Sequence, residues 1–428
     1  MRYVTRRPDG GTAIAVAARF VVVATLVAVF GLLTVPATPG HASPVPTDHC
    51  PHKVSTPPAV DESEVPKPGD TVPTPLPVHS PTIGGDRLAH CGMATSSPAP
   101  QLAAMAPAGW LIADLDSGKV LAAKDAHGRY RPASTIKVLL ALVALDELDL
   151  EKTVSVTAED YSTEGDSCGT GPRGHYTNRQ LLTGLVMVSG NDCASALARE
   201  LGGTEATLTK MNDKAKSLQA YDTRAASPSG LDAPGMSTSA YDLALIFRAA
   251  MRNETFRELI ALPTYRFPGY PRDPSIPGDK DHPSYLMQTS CSLLLNGYPG
   301  MLGGKTGFTD DARKTFVGAA QRDGRRVVIV QMYGLNTKTS NDYWDQAKLM
   351  FDHGFATSES DAVGTLVEPA NSATEQTTTV AADPENAAHR TTSGTNESGN
   401  WSKRVLIGLV AALIAVLLAA AGLSINKR

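Results

Sequence analysis

The sequence predicts a mixed α/β (α+β) domain, an antiparallel sheet flanked by helices with a helical lobe inserted between its strands. Strand patterns lie near residue 110 and again between residues 300 and 333, and helical patterns fill the stretch between them. Segments from both ends of the region would therefore complete one sheet. Val138 to Leu145 carries no polar residue on any face, and a helix apolar all round belongs inside a domain.

In chain order, Arg2, Arg6, Arg7 and Arg19 precede an uncharged run from Phe20 to Val35, then Pro36 and a small-x-small site at Gly40-His41-Ala42. Residues 1–42 read as a secretory signal peptide, with an uncleaved anchor as the alternative; the run is short for a span. Residues 43–100, rich in Pro, Ser, Thr and His without hydrophobic period, read as a linker or extended arm. Within it, His49-Cys50-Pro51-His52 and His90-Cys91 suggest a Cys50–Cys91 disulfide in an exported protein, worth on the order of 4 kcal/mol in the chain-entropy account. A site of two cysteines and three histidines for a metal is the alternative.

Residues 101–355 read as the folded catalytic domain. Trp110 to Leu115 reads as a strand, Asp116-Ser117-Gly118 as a turn, and Lys119 to Ala123 as the returning strand. Pro132 suits the entry to a helix, which places Ser134 at or near its first position. Thr177-Asn178-Arg179-Gln180 is a capping box opening a helix from Leu181 to Val188. A further helix runs through Ala194 to Leu201, and Thr204 caps another reaching about Ala220. Ser237 to Met251 reads as amphipathic helix. Gly300 to Gly307, Thr315 to Ala320 and Arg325 to Tyr333 read as strands, with Asp323-Gly324 as a turn and Asn341 to Phe351 as a closing helix.

Residues 356–403 read as a low-complexity stalk. The segment 404–424 contains 19 uncharged residues, Val405 to Leu423, which at 1.5 Å per residue reach roughly 28 Å and match a hydrocarbon core. This implies a single-pass protein of the cell membrane with its bulk on the extracytoplasmic side. Net charge is −4, and no basic patch argues for nucleic acid.

Ser134 and Lys137 are three residues apart, so on a helix they share a face. A serine hydroxyl needs a neighbouring base, and a lysine becomes one only when burial or a nearby cation lowers its pKa. Taken alone, the pair fits better a serine that caps a core helix beside a lysine that snorkels to solvent. Two further elements follow in order: Ser189-Gly190-Asn191 and Lys305-Thr306-Gly307. With their surroundings, Pro132-Ala133-Ser134-Thr135-Ile136-Lys137, Pro228-Ser229-Gly230-Leu231-Asp232 and Gly303-Gly304-Lys305-Thr306-Gly307-Phe308-Thr309, they resemble the signature of penicillin-binding proteins and serine β-lactamases. The match, over about 107–354, is to the low-molecular-mass D-alanyl-D-alanine carboxypeptidases.

That resemblance implies a β-lactamase/penicillin-binding-protein-like transpeptidase fold. It implies a serine-type carboxypeptidase that removes the terminal D-Ala of peptidoglycan stem peptides through a seryl acyl-enzyme and binds β-lactam antibiotics. Ser134 would be the nucleophile and Lys137 its base; Ser189 would relay a proton to the leaving D-alanine. Asn191 would donate to the substrate peptide and fix Lys137. Lys305 would keep Lys137 from charging and attract the terminal carboxylate, which Thr306 and Thr309 would hydrogen-bond beside Gly307. The amides of Ser134 and Phe308 would form the oxyanion hole, one such donor being worth about 3 kcal/mol. No metal or organic cofactor is required. A β-lactamase and a non-hydrolytic penicillin-binding sensor or scaffold are the alternatives. The first wants a catalytic glutamate, and none lies between Ala206 and Arg252; the second would need the triplet broken, and it is intact. Asp232 reads as a loop brace. The pairing of Cys168 with Cys193 stays open, leaving Cys291 free and buried if it forms.

Overall fold

The computed structural model describes residues 50–335 and 343–370. The signal segment, most of the stalk and the 404–424 span lie outside the described residues. Among the described residues no helix is long and apolar enough to cross a membrane.

The centre is a seven-stranded sheet, all of whose pairings are antiparallel. Its strands are β1 (Met93–Thr95), β2 (Gly109–Asp114), β3 (Lys119–Lys124), β4 (Met301–Thr309), β5 (Arg313–Arg322), β6 (Arg325–Gly334) and β7 (Gly364–Thr365). The order is β1-β3-β2-β6-β5-β4, and β7 also pairs with β3. Strands from both ends of the domain thus complete one sheet, as predicted. The β2–β3 turn is organised by Asp114, whose carboxylate accepts from the amides of Asp116 and Ser117 at 3.0 and 2.9 Å. Asp323 and Gly324, both at positive φ, make the tight β5–β6 turn.

Alternation along the central strands divides two cores. Leu111, Ala113, Val328 and Val330 face the helical lobe. Trp110, Ile112, Val327 and Ile329 face the closing helix, Tyr343–Ala356, through Ala347, Met350 and Phe351. The lobe contains α1 (Lys137–Glu147), α2 (Asn178–Met187), α3 (Asn191–Glu200), α4 (Thr204–Ser217) and α5 (Ala240–Ala250). Val138 to Ala144 of α1 are all buried. Thr177 and Gln180 close the predicted capping box at the start of α2. Thr204 is the first residue of α4 rather than its cap; Gly203, at φ 96°, precedes it.

The Pro-rich arm differs from a free linker. From residue 50 it lies against the domain as a strap with little regular structure, and β1 emerges from its end. Buried Arg129 donates to the carbonyls of Val54, Leu76 and Pro77 at 2.9, 2.7 and 2.8 Å. His79 stacks on Tyr221, and Leu88 enters the core. Composition misses this because the strap is held through its own backbone carbonyls, which any sequence provides. Cys50 and Cys91 are bonded across it, so the alternative metal site has lost its two thiolates.

Candidate active site

Ser134 lies in a 3₁₀ turn, Ala133–Ile136, that leads directly into α1, of which Lys137 is the first residue. Ala133 sits at φ 47°, a left-handed conformation costing on the order of 1–3 kcal/mol outside glycine. Its surroundings hold it there. The carbonyl of Pro132 accepts from Thr315 Oγ1 at 2.8 Å and from Thr135 Oγ1 at 2.6 Å. Gly230, at φ 86°, packs so closely that a Cβ would stand 2.1 Å from Ala133 O. Strand β4 runs alongside, where a Cβ on Gly307 would stand 2.9 Å from the Ser134 amide nitrogen. The strand therefore carries Phe308, the next residue, alongside the turn that bears the Ser134 amide.

Lys137 is wholly buried, and its Nζ touches three oxygens. Ser134 Oγ lies at 2.8 Å, Asn191 Oδ1 at 2.7 Å, and the carbonyl of Ser229 completes the set. Burial first, then the charge of Lys305, holds the Lys137 amine well below the usual lysine range; Asp166 and Asp192 pull weakly the other way. Asn191 opens α3 and spans the site. Its Nδ2 donates to Glu164 O at 2.6 Å, and its backbone amide donates to Asp166 O at 2.6 Å. Lys305, also fully buried, donates to Thr306 O at 2.7 Å, and burial brings its pKa down to about 7.

Beside these groups lies a cavity of about 370 Å³ onto which Ser134, Ser189, Asn191, Thr306, Phe308 and Thr309 all face. Ser189 sits at φ 68° with a buried hydroxyl that has no hydrogen-bond partner among the described residues. Thr309 differs from expectation. Its hydroxyl donates to Asp232 Oδ1 at 3.0 Å and accepts from the Ala312 amide at 2.9 Å, so its proton is committed inside the protein. Asp232, raised to about 6 chiefly by burial, is the brace the sequence suggested. The sequence reading also missed Ser290, whose Oγ meets Thr306 Oγ1 at 2.8 Å, and the carbonyls of Ser229 and Glu164. Tyr343 and Trp344 add an aromatic wall to the cavity. Cys168 and Cys193 are bonded, which ties the 164–170 loop to α3, and Cys291 is free and buried.

The comparisons with known proteins agree with this geometry. A family model, D-alanyl-D-alanine carboxypeptidase, matches residues 93–336. The D-alanyl-D-alanine carboxypeptidase DacB2 of Mycobacterium tuberculosis is 51% identical over 60% of this chain and 85% of that protein. DacF of Bacillus subtilis is 30% identical over 58% of this chain and 61% of its own length. Among solved structures, a D-alanyl-D-alanine carboxypeptidase from M. tuberculosis H37Rv superposes with a TM-score of 0.58 at 48% identity, covering 64% of this chain and 99% of that one. The Streptomyces K15 DD-transpeptidase superposes at 0.53 with 26% identity, covering 59% and 98%. With the model spanning more than half its length and the DacB2 match on most of that relative, this chain belongs to the D-alanyl-D-alanine carboxypeptidase family.

Proposed function

We propose that the chain is a serine-type D-alanyl-D-alanine carboxypeptidase that trims peptidoglycan stem peptides ending in D-Ala-D-Ala and is acylated by β-lactams. The observation that carries this reading is the set of three oxygens around Lys137 Nζ. A neutral amine has two N–H donors and one lone pair. Asn191 Oδ1 and Ser229 O can only accept, so they take the two donors. The lone pair is left for Ser134, whose hydroxyl can donate. Burial and the neighbouring Lys305 charge favour that neutral form.

Ser134 Oγ then attacks the carbonyl of the penultimate D-Ala while its proton passes to Lys137. The amides of Ser134 and Phe308 receive the oxyanion. The C–N bond breaks, a proton reaches the departing amine by way of Ser189, and D-alanine leaves. Water adds to the seryl ester with Lys137 as base, releasing the shortened peptide. Thr306 and Ser290 line the end that receives the terminal carboxylate, with the buried Lys305 behind Thr306 supplying charge from beneath; Thr309 serves indirectly, by bracing Asp232.

The exported, membrane-anchored placement belongs to this proposal and rests on the charge and hydropathy of residues 1–42 and 404–424. Incubating the protein with a peptide ending in D-Ala-D-Ala should release free D-alanine, and Ser134→Ala should abolish both release and labelling by fluorescent penicillin. Sustained release by Ser134→Ala would sink the assignment. Asp166 is the one carboxylate on the cavity wall among the described residues, and no glutamate lines it. The penicilloyl-enzyme should accordingly persist, in contrast to rapid β-lactamase turnover.

A further inference from the structure

The strap approaches the catalytic turn at one point. Arg131, three residues before Ser134, is fully buried, and Glu64 of the strap grips its guanidinium along one edge with both carboxylate oxygens, Nη2 donating to Oε2 at 2.6 Å and Nε to Oε1. Its Nη1 donates to Pro57 O at 2.7 Å, and Asp311 Oδ2 stands 4.0 Å from its Nε. Asp311 is itself capped by the strap, accepting from the Val60 amide and, at 3.5 Å, from Ser63 Oγ. Asp311 follows Thr309 by two residues, and Thr309 holds Asp232, which closes the loop whose Ser229 carbonyl touches Lys137.

Residues 57–64 therefore bond to two of the segments that frame the nucleophile, the 131–134 turn and the β4–β5 turn, and come close to the third, the 229–232 loop, where the carboxylates of Glu64, Asp232 and Asp311 lie within 4.8 Å of one another. The turn contains Ala133 in its left-handed conformation, which persists only where neighbours over-determine it. Without its carboxylate partner, a buried guanidinium at residue 131 would reorient toward other acceptors and drag Pro132 and Ala133 with it.

We propose that Glu64 is a positioning residue for the seryl site, acting through Arg131 and Asp311 to hold Ser134 against Lys137. This rests on the function proposed above and deepens it, because it makes the strap part of the catalytic unit. The test uses the full chain with Glu64→Gln, Glu64→Ala and Glu64→Asp. Penicillin titration counts competent sites, so a variant that merely unfolds in part loses sites without changing the rate at each. Per titrated site, acylation by fluorescent penicillin should fall about ten-fold in Glu64→Gln and Glu64→Ala. Glu64→Asp, keeping the charge one methylene short, should fall about three-fold. Competitive binding of a D-Ala-D-Ala peptide should change less than two-fold, because Thr306 and Ser290 lie away from the clamp.

Per-site rates within two-fold of wild type in the Gln and Ala variants would overturn the proposal. Should those two fail to fold, Glu64→Asp decides alone, and a wild-type rate there overturns it. A wild-type protein that neither labels nor releases D-alanine would instead bring down the proposed function.

Discussion

In the proposed mechanism two buried lysines divide the labour between acid–base chemistry and charge. Lys137 has the contacts of a neutral base, so Lys137→Arg should be inert despite keeping a cation: a guanidinium does not give up its proton near neutrality. D-Alanine release should fall by on the order of 10³-fold, with the fold retained by circular dichroism. Lys305 makes a different prediction. Its folded pKa is depressed to about 7 from 10.5, so the unfolded chain holds a proton the folded one sheds between those values. Below pH 7 the folded state bears a buried charge, at a cost on the order of 5 kcal/mol for a shift of this size. Lys305→Met should then be more stable than wild type at pH 6 while losing activity. The gain should shrink as pH rises from about 7 toward 10.5. A gain that is flat with pH in paired denaturant titrations would contradict the assignment. Ser134, Lys137, Asn191 and Lys305 were legible as candidates because the proposed chemistry rests on their side chains. The carbonyls of Ser229 and Glu164 were not, since every residue owns one.

Among the elements, periodicity served well wherever a segment was long. Helix α1 and strands β2, β3, β5 and β6 have apolar patterns that only one placement satisfies. Short pieces escaped: the ribbons Thr153–Ser155 with His175–Thr177, and Thr264–Phe267 with Tyr285–Gln288, are too brief to show alternation. Tertiary links steady them instead. The 164–170 loop, which supplies Glu164 O and Asp166 O to Asn191, hangs on Asp192. That carboxylate accepts from the amides of Cys168 and Thr170 at 2.8 and 3.0 Å. The Cys168–Cys193 bond closes the same loop over a separation of 25 residues. Replacing both cysteines by serine should reduce stability by about 3.5 kcal/mol in the chain-entropy account. It should also slow acylation, because Asn191 loses its anchor; an unchanged penicillin rate would show that Asp192 alone suffices.

Across the whole molecule, the strap rewrites what the minimal enzyme is. Composition marked residues 43–100 as a linker or extended arm because they lack hydrophobic period, and nothing in a Pro-rich sequence announces that its carbonyls will seat two buried arginines. Deleting residues 50–92 should leave the guanidiniums of Arg129 and Arg131 without most of their acceptors, lower the melting temperature by at least 10 °C and abolish acylation. A shortened protein that melts and labels like wild type would refute this.

The antiparallel sheet also orders events in time. Strand β2 finds its inner neighbour only in β6, some two hundred residues later, and the pocket wall carrying Phe308 lies on β4. A nascent chain emerging amino end first thus presents its serine and its base long before the strand that completes their surroundings. Until residue 334 has been made, the hydroxyl has no enclosed environment in which to react, so a product truncated before β4 should be catalytically silent rather than partly active.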